Sequence, residues 1–397
     1  MNRHYDVVII GAGMVGLVSA SLLSQHSRLR VTVIDAGREP TFNPADEIAL
    51  RVSAIAPGSA DILARAGAWS GIRDTRACPY REMRVWDAAG HADGPETLHF
   101  DAAEFALPEL GHIVENRLVQ HALLQSLNGS EVSFRFAATI ESLSRRGHRF
   151  EIVMASGERF VPDLLIGADG ACSLVRGSAG IGIRSWPYAQ KAFVTMLEPE
   201  FEHRYMARQR FLQEGPIGIL PLGDGRISIV WSTTPATAEA ALLMSDADLS
   251  ARLTEATDGV LGTLTPAGPR GAFPLRAQHA ATYVQDGVAL VGDAAHTVHP
   301  LAGQGVNLGF ADAAELAGAV ARALAAGEDP GDLPTLRNYE RARKGANGTM
   351  LFFVHGLNRL FSNRSMSLAR VRGAGMYLFN KSGPLRSRAV ATALGIH

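Results

Sequence analysis

The chain has very little cysteine, two residues in 397, at Cys78 and Cys172. Two thiols that far apart build neither a disulfide framework nor a metal cluster, and they suit a reducing compartment. Each is expected to be a small buried side chain. The chain also lacks any run of roughly 18 apolar residues, so no segment reads as spanning a membrane. No secretory leader is recognisable, because the first apolar stretch, from Val7, runs straight into glycines. A large excess of either charge is missing too. The formal net charge is −1, which gives no global reason to expect nucleic acid as a partner. H-E-x-x-H and C-x-x-C patterns are absent, so no metal is expected.

What is present is glycine, 41 residues, in a chain that is 47% hydrophobic and long enough for two cores. Residues 5–10 (YDVVII) read as a short buried strand, 14–26 as a helix and 30–35 (RVTVID) as a second strand. That order implies a parallel sheet. Helices are expected near 57–68 and 114–127. VSFRF, FEIVMA and RFVPDLLIGAD read as strands. Residues 181–235 alternate apolar and polar positions, as an antiparallel sheet does. GVALVGDAA (287–295) reads as a strand ending in a loop, with mostly helix from about 305.

Gly11-Ala12-Gly13-Met14-Val15-Gly16 fits G-x-G-x-x-G, placed between a predicted strand and a predicted helix. Gly11 permits the tight turn, Gly13 lets a pyrophosphate approach the backbone, and Gly16 lets helix and strand pack closely. The helix start offers unpaired N–H groups to phosphate. Asp35, 24 residues after Gly11, is placed to bond an adenosine ribose and to disfavour a ribose phosphate, so the site suits FAD or NAD over NADP. The motif alone leaves FAD and NAD both open. Two later segments are less specific by themselves. Leu164 to Gly170 ends a strand in an Asp169-Gly170 turn, with Arg176 after it. Leu290 to His296 carries Gly292-Asp293 and runs into His299-Pro300-Leu301-Ala302-Gly303-Gln304-Gly305-Val306-Asn307-Leu308-Gly309. A glycine-rich connector would look the same, but such a loop also lets backbone approach a flat ligand.

Together these residues resemble the single-component FAD-dependent aromatic hydroxylases. The stretch 299–312 (HPLAGQGVNLGFAD) is similar to the signature of the ubiquinone-biosynthesis hydroxylases of polyprenylated phenols. Residues 50–55 (LRVSAI), 110–116 (LGHIVEN) and 339–341 (YER) agree with it, to about residue 345. The resemblance implies an α/β fold: a Rossmann-like FAD-binding domain (1–77, 100–180 and 273–345), an inserted mainly antiparallel substrate domain (78–99 and 181–272), and a helical basic C-terminus (346–397). It implies FAD as cofactor, NAD(P)H as co-substrate bound transiently, and hydroxylation of a polyprenylated phenol by oxygen through a flavin hydroperoxide.

By the same resemblance, Gly11, Gly13, Gly16 and Asp35 hold the ADP half of FAD. Arg51 and Asn116 lie near the flavin, Asn116 where relatives often carry Arg. Asp169 and Gly170 serve the phosphates and NAD(P)H use. Gly292 and Asp293 meet the ribityl chain, and Pro300, Gly303, Gln304, Gly305, Val306 and Asn307 cup the flavin ring. His296 and His299 are read as structural or flavin-side groups; a catalytic base is not identified. Phe211, Leu220, Pro221, Trp231, Phe273 and Pro274 are candidates for an apolar substrate pocket, with ordinary sheet core as the competing reading of each. Ring carbon 5 is favoured by LGHIVEN and FADAAEL, ring carbon 6 by PYRE, FDAAEFALP and GAFPLRAQHA. Two other readings stay open: an FAD enzyme acting on another aromatic, and a non-catalytic flavin- or lipid-binding subunit of a biosynthetic complex.

From Arg341 the chain has ten Lys/Arg and no Asp/Glu, interleaved with aromatics. That pattern suits peripheral contact with an anionic membrane or an acidic partner, such as a ubiquinone-biosynthesis protein complex; a solvated basic face is the plainer reading. A cytoplasmic location, up to the inner face of the membrane, is expected.

Overall fold

The computed structural model describes residues 4–299, 303–361 and 366–395, with side chains omitted for 366–371. Short β-branched runs build the first sheet. Tyr5–Ile10 sits between Leu164–Gly167 and Leu29–Ile34, with Val7 opposite both Leu164 and Val31. Val288–Leu290 and Ser133–Arg135 extend it in parallel, and Val284–Gln285 adds an antiparallel edge. The central strands are buried on both faces, as in parallel sheets generally. The helices Met14–Ser24, Asn116–Ser126 and Gln304–Ala326 cover this sheet, and their apolar residues share its core.

The long run 159–169 does not form one strand. Pro162, which has no N–H to donate, separates Arg159–Phe160, in a three-stranded antiparallel sheet, from Leu164–Gly167 in the parallel one.

A second sheet of nine strands carries the alternating sequence. Its order is His296–Thr297, Gly271–Ala280, Ile183–Pro199, Ile227–Thr233, Gly215–Pro221, Met206–Leu212, Glu82–Asp87 and Leu98–Asp101, with Leu264–Pro266 on the side of Ile183–Pro199. It is antiparallel except where Met206–Leu212 runs parallel to Glu82–Asp87. A division of the chain at 272/273 would cut the strand Gly271–Ala280, whose ladder partners lie within this sheet. Cys78–Tyr80 likewise pairs with Gly111–Glu115 in a small separate sheet rather than with the large one. One face of the large sheet is sealed by helices Pro235–Leu243 and Asp246–Ala256, forming a core with Phe193, Ile217, Ile229 and Trp231. The C-terminal segment is helical: Leu333–Phe361, Met366–Asn380 and Pro384–Leu394.

Candidate active site

The turn from Ile10 to the helix at Met14 is closed by Asp35, at the end of the neighbouring strand. One carboxylate oxygen accepts the Ala12 N–H and the other the Gly37 N–H, both at 2.6 Å. The glycines divide into two kinds. A Cβ on Gly16 would lie 1.9 Å from the Gly11 carbonyl oxygen, and one on Gly11, where φ is +108°, would lie 2.4 Å from that of Ala168. Those two serve helix–strand packing. A Cβ on Gly13 would meet nothing within 4 Å, so that space is kept open by the fold.

Beside it, Asp169 accepts the Val175 N–H through Oδ2 (3.0 Å), while its buried Oδ1 has no partner among the described residues. Arg176, whose role was not assigned from the sequence, ties the segments together. Its guanidinium donates to the carbonyls of Ala171 (2.8 Å) and Ala294 (2.9 Å), joining the Asp169-Gly170 turn to the Gly292-Asp293 turn. Asn116 opens its helix and accepts the Ser53 hydroxyl at 2.7 Å.

These pieces surround one cavity of about 1080 Å3. Of the expected cofactor residues, Gly11, Gly13, Asp35, Arg51, Asn116, Asp169, Gly170, Asp293, Gly303, Gly305 and Val306 line it. Gly16, Gly292, Gln304 and Asn307 do not. Gly292 (φ +58°) packs on Val15. Gln304 donates to the Ala393 carbonyl. Asn307 accepts the Ala56 N–H and donates to the carbonyls of Ala54 and Gly303, clamping the glycine loop to strand Val52–Ile55. Pro300 lies outside the described residues. Asp293 opens onto the cavity; burial raises its carboxyl pKa, opposed by nearby His296 and Arg51.

Under the loop sits a buried hub. Asp312 accepts from Gly292 N, His296 Nε2, Arg343 Nε and Asn347 Nδ2. Burial alone would raise its pKa, but His296 and Arg343 hold it below the ordinary value. His296 is thus a framework residue. His299 is fully buried, with neither ring nitrogen bonded among the described residues, and stands edge-on to Tyr188 at 4.8 Å. Burial pushes its pKa down to about 4, so it is neutral near pH 7. Among the described residues no cluster of His, Cys, Asp or Glu could hold a metal.

The cavity continues onto the large sheet, where Ala192, Val194, Leu220, Val230 and Phe273 line it. Several expected pocket residues fall elsewhere. Trp231 is core on the opposite face. Phe211 stacks on Phe361 at 3.9 Å. Pro221 and Pro274 are not at the cavity wall. The two cysteines also differ. Cys78 is buried, its thiol pKa raised to about 12 by desolvation, whereas Cys172 is exposed on the cavity rim.

The cavity thus has a dinucleotide end, at the glycine turn and the open space over Gly13, and an apolar end on the large sheet. The volume, just above the roughly 300–1,000 Å3 of common ligand sites, leaves room for a dinucleotide and part of a second ligand. The chain belongs to the FAD binding domain family, which it matches over residues 4–350, and within it to the ubiquinone-biosynthesis hydroxylases. It is 38% identical to the 3-demethoxyubiquinol 3-hydroxylase of Escherichia coli, over 100% of both chains. It is 36% identical to the human mitochondrial ubiquinone biosynthesis monooxygenase COQ6, over 98% of this chain and 92% of that one. The crystal structure of pqsL, a probable FAD-dependent monooxygenase from Pseudomonas aeruginosa, superposes with a TM-score of 0.77 at 24% identity, covering 94% of this chain and all of that one. That likeness is one of fold. The chain is therefore an FAD-dependent aromatic monooxygenase.

Proposed function

We propose that this enzyme hydroxylates a polyprenylated phenol of ubiquinone biosynthesis, using NAD(P)H and oxygen. The observation that carries the reading is the continuity of the cavity from the glycine turn to an apolar sheet face. When bound and reduced, FAD supplies the chemistry of oxygen activation. The chain supplies position. Gly11, Gly13 and the start of helix Met14–Ser24 hold the pyrophosphate, Asp35 the adenosine ribose, and Asp169 with Gly170 the segment beyond. Asp293 takes the ribityl chain. Arg51, Asn116, Gly303, Gly305 and Val306 surround the flavin ring. Gly16, Gly292 and Asn307 act through packing and clamping rather than by contact. The apolar wall of Val194, Leu220, Val230 and Phe273 excludes water from the reacting ring.

Ring carbon 5 is the first position to test and carbon 6 the second. Deleting the gene and identifying the accumulating precursor assigns the position. Phenol-stimulated NAD(P)H oxidation by the purified holoenzyme tests the activity itself; oxidation indifferent to any prenylated phenol rejects it and favours another substrate or a non-catalytic role.

The basic tail is read as a membrane contact. Arg343, Arg372 and Arg386 are spent on Asp312, Asp87 and Glu104. Phe352, Phe353, Leu378 and Leu385 remain exposed, Phe352 at 80%. Among the described residues no helix is long and apolar enough to cross a membrane, so contact would be peripheral. Flotation with anionic vesicles should succeed at low salt and fail at high salt; salt-independent or absent binding rejects the contact.

A further inference from the structure

The cavity face of the large sheet is set by strand parity. On Met206–Leu212, Arg210 turns to the helical side, where its guanidinium donates to the carbonyls of Glu255 and Ala256. Ala207 and Gln209 turn the other way and line the cavity. In register across the sheet, Gln209 lies opposite Gly218, Gly218 opposite Val230, and Val230 opposite Val194. All four line the cavity; their neighbours there are the apolar Ala192, Ala207, Pro216 and Leu220 and the polar Arg208 and Ser232.

Two features of this row are unexplained by the protein's own packing. Gln209 is 7% exposed as a residue and lines the cavity, and no hydrogen bond holds its side-chain amide among the described residues. An amide that opens onto a cavity with no partner in the protein can bond a ligand there through both its oxygen and its nitrogen. Gly218, beside it, has no left-handed backbone that would require glycine. A Cβ added there would meet nothing closer than the Val230 carbonyl oxygen, at 3.8 Å. So neither backbone nor packing demands the missing side chain, and its absence leaves open volume against the amide.

We propose that Gln209 and the gap above Gly218 form the subsite for the aromatic ring. The ring lies over Gly218 and the amide bonds an oxygen substituent on it. Oε1 accepts the O–H of a neutral phenol. Nε2 donates to the same oxygen as negative charge gathers there, so one side chain serves both protonation states. This assignment rests on the hydroxylase reading above.

The test uses the FAD-loaded enzyme and two probes, a 2-prenylphenol and its O-methyl ether, with binding read from the perturbed flavin absorbance. Wild type should prefer the phenol about tenfold, the size of one hydrogen bond to a buried polar group. Gln209→Met, of similar volume, should bring that preference close to one. Gly218→Val, which keeps the amide but fills the gap, should weaken both probes at least about tenfold by occupying the ring's place. A Gln209→Met enzyme that keeps the full preference, or a Gly218→Val enzyme that binds both probes as wild type does, overturns the subsite. Should Gln209→Met fail to fold, the Gly218→Val result decides alone. Wild type that loads FAD yet binds neither probe overturns the phenol reading itself, a distinct outcome.

Discussion

Gly13 and Gly16 stand three residues apart in one motif, but the structure gives them different tasks, and alanine at each should separate those tasks. At Gly16 the new methyl would lie 1.9 Å from the Gly11 carbonyl oxygen and 3.2 Å from the Ala168 Cβ. Both belong to fixed backbone or core, so the helix Met14–Ser24 must move off the sheet. Overpacking of this kind costs about 1–3 kcal/mol, and it acts whether or not cofactor is present. At Gly13 the methyl meets no protein atom within 4 Å, and the backbone there (φ −68°, ψ 174°) suits alanine. A small loss from its helix-capping position and a small gain from a stiffer unfolded chain nearly cancel. Apo stability should therefore stay within roughly 0.5 kcal/mol of wild type. The cost appears only with ligand, because the methyl fills the lane where pyrophosphate meets backbone. Loss of one charge-assisted hydrogen bond, about 1.5–3 kcal/mol, weakens FAD binding by roughly ten- to a hundredfold. Denaturant unfolding of the apoproteins gives the first quantity and flavin fluorescence titration the second. Gly13→Ala that destabilises the apoprotein as much as Gly16→Ala, or that binds FAD normally, would refute the division.

Three further outcomes follow from the framework around the site. Asp312→Asn leaves Arg343 without its buried carboxylate and should destabilise the protein by about 3 kcal/mol, read from the denaturation midpoint; a change under roughly 1 kcal/mol would sink the hub. His299 has its pKa lowered from 6.5 to about 4. A depressed histidine means the unfolded chain binds the proton first. Stability should thus fall as pH drops from 6.5 toward 4, by about 3 kcal/mol in all, and His299→Gln should remove that slope. An unchanged slope in the variant would contradict it. Arg176→Leu frees the carbonyls of Ala171 and Ala294, and FAD affinity should drop more than tenfold with the variant still folded; unchanged affinity, measured by the same titration, would argue against its bridging role.

Much of the nucleotide half was legible because its signals are local. Tyr5–Ile10 is a β-branched run stopped by glycine, and the acid that closes the turn is the residue after the next strand. The substrate half was less so. Alternation along 206–233 announces a two-faced sheet, but it does not say which face meets a cavity. Trp231 and Phe211 look like pocket aromatics and are packing residues, whereas Gln209 and Gly218 carry no signal until register aligns them. The helices Pro235–Leu243 and Asp246–Ala256 had a local mark, the caps Thr234 and Ser245, each accepting an N–H three residues on. The hub at Asp312 had none. Its partners Gly292, His296, Arg343 and Asn347 are 16 to 35 residues distant, and only the fold brings them together.

The central claim is that the cavity joins a flavin to a phenol so that oxygen can pass between them. Mass spectrometry of the aromatic product, formed by FAD-loaded enzyme with NAD(P)H, a prenylated phenol and isotopically labelled dioxygen, tests it directly. One labelled oxygen atom on the ring is the expected result. NAD(P)H consumed with no label in the aromatic compound would contradict the account.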